Sequence, residues 1–116
     1  YIDDGGIVSL DHVQVSRSYN NGVYVHLENP AVDEWANLTI TNSTIDDNKL
    51  DGFYIYCVSD DLVNLNVMRS SFANNGGFGL TTRSSSSNPG TLATTLQDND
   101  FEDNLIGAAR LYLNPT

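Results

Sequence analysis

The chain has 116 residues, enough for one domain and one core. Apolar residues make up 40% and charged residues only 17%; the remaining polarity is Asn, Ser, Thr and Gly, which argues against a helical protein rich in Ala, Glu, Lys and Arg. Fifteen acids against five bases give a net charge of −10, a balance that repels phosphate backbones and anionic membranes, so neither nucleic acid nor membrane insertion is expected.

In chain order, Tyr1-Ile2 reads as the tail of a strand, followed by an Asp-Asp-Gly-Gly loop. Val8 and Leu10 alternate with polar residues, as a half-buried strand requires. A polar corner at His12, a second strand around Val15, a turn from Ser18 to Gly22 and a third strand holding Val25 follow. After a loop over 26–36, the same grammar returns as Leu38, Ile40, Asn42, Ile45, Asn48, Gly52 and Ile55. A short acidic loop at 57–61 contains Cys57, the only cysteine, so no internal disulfide forms. Leu65, Val67, Arg69, Phe72 and Asn75 make the third copy, read as two residues shorter and continuing Gly77-Phe78-Gly79-Leu80. The Ser-rich stretch 82–91 reads as a loop, with Asn88-Pro89-Gly90 as its turn. Thr94, Leu96, Asp98, Phe101 and Asn104 make the fourth copy, whose third strand runs through Ala108 to Tyr112. Gly and Asn at the corners are expected to supply positive φ.

Three short strands and three corners per repeat describe one coil of a solenoid. Stacked coils set like on like, and three inward columns are expected: Leu10/Ile40/Val67/Leu96, Val15/Ile45/Phe72/Phe101 and Val25/Ile55/Leu80/Leu111. One coil cannot bury its own face, whereas several stacked coils can. The expected fold is therefore all-β, a right-handed parallel β-helix of about four coils, at 7–36, 37–62, 63–91 and 92–116, forming one domain over 1–116. No capping helix is evident at either end. A β-sandwich of short strands is the alternative, but it has no reason to repeat this grammar. The pattern Ile-x-Asn-Ser-x-Ile-x-x-Asn, followed by Gly-Phe-x-Ile, resembles the repeats of the pectate-lyase-like superfamily over about residues 7 to 113. That group holds polysaccharide lyases, glycoside hydrolases, tailspikes, adhesins and plain surface proteins, so the resemblance specifies fold far better than function.

The turn column Ser18/Asn48/Asn75/Asn104 is expected to form a structural ladder of stacked side chains. The outward side of the third strand carries Tyr24 and His26, Tyr54 and Tyr56, Gly79 and Thr81, and Arg110 and Tyr112. Tyrosine offers a rigid apolar face with a polar tip, so Tyr24, His26, Tyr54, Tyr56, Arg110 and Tyr112 are the carbohydrate-binding candidates. The resemblance places a substrate groove on the equivalent face; the alternative is that these tyrosines steady the sheet. No catalytic cluster stands out: Asp60, Asp61 and Arg110 are the candidates, since glycoside hydrolysis needs paired carboxylates and a lyase needs a basic side chain. No cofactor is expected, although Asp98, Asp100 and Asp103 offer oxygen ligands that suit Ca²⁺; they lack the Gly and Glu of an EF-hand loop. Asn37 and Asn42 begin glycosylation sequons.

These features point to an extracellular or cell-surface structural module. Its coils either continue within a longer adhesin-like solenoid or stack end to end on copies of the chain as a fibre or filament. A fragment of a polysaccharide-active enzyme and a non-catalytic carbohydrate-binding surface are the alternatives.

Overall fold

The computed structural model describes residues 2–3, 6–27, 35–57, 62–84 and 92–113. They form β1 (Ile2–Asp3), β2 (Gly6–Asp11), β3 (Gln14–Ser16), β4 (Val23–Leu27), β5 (Trp35–Thr41), β6 (Thr44–Asp46), β7 (Phe53–Cys57), β8 (Leu62–Met68), β9 (Ser71–Ala73), β10 (Phe78–Ser84), β11 (Leu92–Gln97), β12 (Asp100–Glu102) and β13 (Gly107–Leu113). The strands assemble into three parallel sheets, in the orders β1-β4-β7-β10-β13, β11-β8-β5-β2 and β12-β9-β6-β3. Every third strand joins the same sheet, so four coils stack into a right-handed parallel β-helix.

Period-2 alternation sorts the side chains. Leu38 and Ile40 on β5, Leu65 and Val67 on β8, and Ile45 and Phe72 on the short strands all lie at 2% exposure or less. The column Val15/Ile45/Phe72/Phe101 is in register as expected, and Phe72 and Phe101 stack with ring centroids 5.0 Å apart. The column Leu10/Ile40/Val67/Leu96 is likewise in register.

The third column requires a correction. Leu80 pairs with Phe53 and Ala109, while Thr82 pairs with Ile55 and Leu111. The inward columns of this sheet are therefore Val23/Phe53/Leu80/Ala109 and Val25/Ile55/Thr82/Leu111. The third coil is not shortened in its turn: Ser18 to Val23, Asn48 to Phe53, Asn75 to Leu80 and Asn104 to Ala109 each span five positions. The Gly77-Phe78 pair imitates Gly52-Phe53 but stands two positions early. Consequently Thr82 and Arg83 belong to β10, not to a loop. Thr82 is fully buried, and its hydroxyl has no hydrogen-bond partner. A buried hydroxyl without a partner is costly, and valine has nearly the same shape. Thr82→Val is thus expected to stabilise the fold by about 1 kcal/mol; a lower thermal midpoint would contradict this register.

The corners meet the expectation only in part, at Asn42 and Asn74. Positive φ is carried by His12, Asn42, Arg69 and Asp98 at one corner and by Arg17, Asp47, Asn74 and Asp103 at the other, all between 48° and 57°. The second set lies one residue before the ladder column. Gly22, Gly52 and Gly79 serve close approach instead: a Cβ on Gly52 would lie 2.6 Å from the Gly79 carbonyl oxygen and 2.8 Å from Asn75 Nδ2.

Candidate functional site

The asparagine ladder forms as expected. Asn48 Oδ1 accepts from the Ser18 N–H at 3.0 Å, Asn75 Oδ1 from the Asn48 N–H at 3.2 Å, and Asn104 Oδ1 from the Asn75 N–H at 3.1 Å. The amides also join one another: Asn48 Nδ2 donates to Asn75 Oδ1 and Asn75 Nδ2 to Asn104 Oδ1, both at 2.9 Å. A second ladder, missed in the sequence, lines the other corner. Ser43 Oγ, Ser70 Oγ and Asn99 Oδ1 accept from the N–H groups of Val13, Ser43 and Ser70. Its signal was a small polar residue directly after the corner in coils two, three and four.

The outward face of the five-stranded sheet holds the aromatic candidates. Tyr24 pairs with Tyr54 and His26 with Tyr56 across β4 and β7. Both pairs stack with centroids 5.5 Å apart, at interplanar angles of 15° and 18°. Strands lie ~4.8 Å apart, so the rings stack along the solenoid axis with their faces turned to each other. Each stack takes up one face of each ring.

The corrected register changes the rest of this face. Thr81 continues the Tyr24/Tyr54 column to Arg110, and Arg83 continues the His26/Tyr56 column to Tyr112. Gly79 does not belong to this outward set. Arg83 lies 5.7 Å from the Tyr56 ring centroid and Arg110 lies 5.9 Å from that of Phe78, both within cation–π reach. Two of the five basic residues of the chain therefore share one exposed sheet face. Asp60 and Asp61 lie outside the described residues, as does the side chain of Tyr112.

Asp98 and Asp100 line a polar groove of about 450 Å³ beside Asn42, Thr44, Arg69 and Ser71. Asp103 stands at the other corner, and no group of three or more His, Cys, Asp or Glu gathers among the described residues. Asn42 is engaged on both sides of its amide: Nδ2 donates to Asp11 Oδ1 at 2.8 Å and Oδ1 accepts from Arg69 Nε at 3.0 Å. Asn37 Oδ1 accepts from Asn64 Nδ2 at 2.9 Å. Asp11 also accepts from Thr41 Oγ1 at 2.6 Å and meets His12 Nδ1 at 2.9 Å. The Thr41 bond, then those from Asn42 and His12, hold its carboxyl far below the usual carboxylate range. Asp11 thus stays charged in acid that neutralises ordinary carboxylates, and its corner network weakens only as pH falls below that range towards its own depressed value.

Four coils, two polar ladders and three parallel sheets define the class as a parallel β-helix solenoid. The family described as "Right handed beta helix region" matches over residues 1–114, and the chain belongs to it. No curated protein and no solved structure matches the chain.

Proposed function

We propose that this chain is an extracellular or cell-surface β-helix scaffold that serves as a rigid structural module rather than a catalyst. The observation that carries this reading is the ring geometry of the candidate face. Tyr24 stacks on Tyr54 and His26 on Tyr56, so these aromatics brace successive coils and commit one face of each ring to its neighbour. A sugar ring stacks on an aromatic face, not on its edge. The polar composition and the excess of acid suit a solvated surface protein.

Arg83 and Arg110 favour a second reading, non-catalytic attachment to an acidic polysaccharide along the same face. Two cations on one exposed sheet of a strongly acidic chain would attract carboxylate-bearing sugars. Incubation with acidic polysaccharides, followed by absorbance of unsaturated products and by reducing-end assay, tests both. No turnover is expected under the scaffold reading. Turnover that disappears in Arg110→Ala would replace it with a lyase or hydrolase. Salt-sensitive binding without turnover, lost in Arg83→Ala, would establish the second reading.

A further inference from the structure

The turn that carries the asparagine ladder also forms an apolar edge along the side of the solenoid. Seven large apolar side chains are exposed among the described residues, and four of them stand at this one corner: Tyr19 at 81%, Leu50 at 48%, Leu105 at 81% and Ile106 at 64%. Single exposed apolar residues are ordinary, whereas a row of them marks a contact surface. The exposure is lateral. Leu50 has coil one on one side and coil three on the other, yet nearly half of it faces solvent.

Backbone bonds fix the order of the row. The Lys49 and Leu50 N–H groups donate to the Ser18 and Asn20 carbonyls, those of Gly76 and Gly77 to Asn48 and Leu50, and those of Leu105 and Ile106 to Asn75 and Gly77. The two positions after each ladder residue are therefore Tyr19-Asn20, Lys49-Leu50, Gly76-Gly77 and Leu105-Ile106, from coil one to coil four. Coil three places no side chain at either position. A Cβ on Gly76 would run into the Lys49 carbonyl oxygen, and one on Gly77 into Asp51 Oδ1. The row is thus a ridge with a gap one coil wide, and Leu50 is the knob beside that gap.

Charge is arranged along the same corner. Its positive-φ residues are Arg17, Asp47, Asn74 and Asp103 in coils one to four. Arg17, Asp47 and Asp103 have no ion-pair partner among the described residues. Lys49, 4.5 Å from the Tyr19 ring centroid, adds a second cation near coil one. Glu102 adds a second acid beside Asp103 in coil four.

This pattern is its own complement when a second copy is turned end for end and laid against the first. Coil one then meets coil four, and coil two meets coil three. Arg17 meets Asp103, Tyr19 meets Leu105, Asn20 meets Ile106, and Leu50 enters the gap at Gly76-Gly77. Asp47 meets Asn74, so no acid of this column faces an acid. Each match occurs twice, as a two-fold contact requires. A pair running in the same direction fits worse: each coil meets its own copy, so Lys49 opposes Lys49 and gap opposes gap.

We infer that this corner is a homodimer surface, on which two copies of the chain pack side by side in opposite directions about a two-fold axis between coils two and three. The contact runs along the side of the solenoid and uses no open end. It spans three coil spacings, ~14 Å, and offers less than the ~800 Å² that each partner commits to a standard complex. A chain of net charge −10 also repels its copy at long range. The dimer is accordingly weak, and the two Arg17–Asp103 pairs set its direction.

A charge swap tests this. Sedimentation equilibrium is run from about 10 µM to about 1 mM chain, a range suited to a weak pair, in about 0.15 M salt, where the Debye length is ~8 Å. Wild type is expected to dimerise within this range. Arg17→Asp sets acid against acid twice per dimer and is expected to weaken association at least about tenfold. Asp103→Arg is expected to weaken it similarly, although it lowers the net charge of each copy and would tighten any contact governed by overall repulsion. The combined variant keeps the net charge of −10 and is expected to return to within about threefold of wild type. Leu50→Asp is expected to abolish the dimer. Residues 17, 50 and 103 are exposed, and this corner already accepts both Arg and Asp at positive φ, so the variants are expected to fold. Wild type that stays monomeric throughout overturns the inference. So does Asp103→Arg that associates more tightly, a combined variant as weak as the single ones, or Leu50→Asp that dimerises like wild type. None of these results bears on turnover or sugar binding, so the scaffold reading is judged separately.

Discussion

Asn75→Leu is expected to destabilise the protein by about 4 kcal/mol, the largest loss available from a single polar side chain here. Asn75 is 1% exposed and takes part in four ladder bonds. Its Oδ1 accepts from the backbone N–H and the side-chain amide of Asn48. Its Nδ2 donates to the Ile45 carbonyl and to Asn104 Oδ1. Leucine has nearly the same volume, so no large cavity opens and packing is almost preserved. What remains is a buried Asn48 N–H facing a methyl group, an Asn48 amide without its acceptor and an Ile45 carbonyl without one of its donors. Each buried group stripped of its partner costs roughly 1–3 kcal/mol, and water cannot repair them inside the stack. The same change at Asn104 is expected to cost clearly less, because Asn104 is only half-buried. Urea unfolding of both variants measures the difference. Asn75→Leu within ~1 kcal/mol of wild type would mean that the ladder is ornamental and that the apolar columns alone hold the coils.

Gly52→Ala ranks second, at about 3 kcal/mol, and it acts through sterics instead of hydrogen bonding. One added methyl carbon would sit 2.6 Å from the Gly79 carbonyl oxygen, 2.8 Å from Asn75 Nδ2 and 3.2 Å from Asn75 Cγ. Side-chain tips can turn away, but a backbone carbonyl in a parallel sheet cannot move without its strand. Here that strand is β10, which pairs with β7 on one side and β13 on the other. Relief therefore means widening the gap between coils two and three and lengthening the rungs that cross it. Gly79→Ala is expected to be milder. Its Cβ would meet the Phe101 ring at 2.7 Å and the Ala108 carbonyl oxygen at 2.8 Å, but the carbonyl belongs to β13, which among the described residues pairs on one side only and can give way more easily than β10. Thermal unfolding that ranks Gly52→Ala below Gly79→Ala in cost would contradict this account.

Ala108 fits the same logic from the other side. It occupies the glycine column in the coil that has no described successor, so its Cβ meets no carbonyl there.

The repeat grammar in the sequence determined the solenoid by itself. Leu10/Ile40/Val67/Leu96 and Val15/Ile45/Phe72/Phe101 stand in register because strand side chains alternate strictly and stacked coils align like with like. Ser18/Asn48/Asn75/Asn104 was legible for the same reason, since a ladder must repeat the same residue type at the same place. The third strand was misread by two positions because Gly77-Phe78 looks like Gly52-Phe53. A two-residue shift preserves strand alternation, so no hydrophobic pattern could reveal the error. Only the pairing of Leu80 with Phe53 decided it, and that placed Thr82 in the core and Arg83 on the aromatic face. The ring stacks, the Ser43/Ser70/Asn99 ladder and the role of the glycines were likewise decided by tertiary structure. Each depends on distances between coils some thirty residues apart in sequence, which local pattern does not contain. Function lies further along the same line: the sequence named the residues of the face, and the stacking of one coil on the next decided which way they turn.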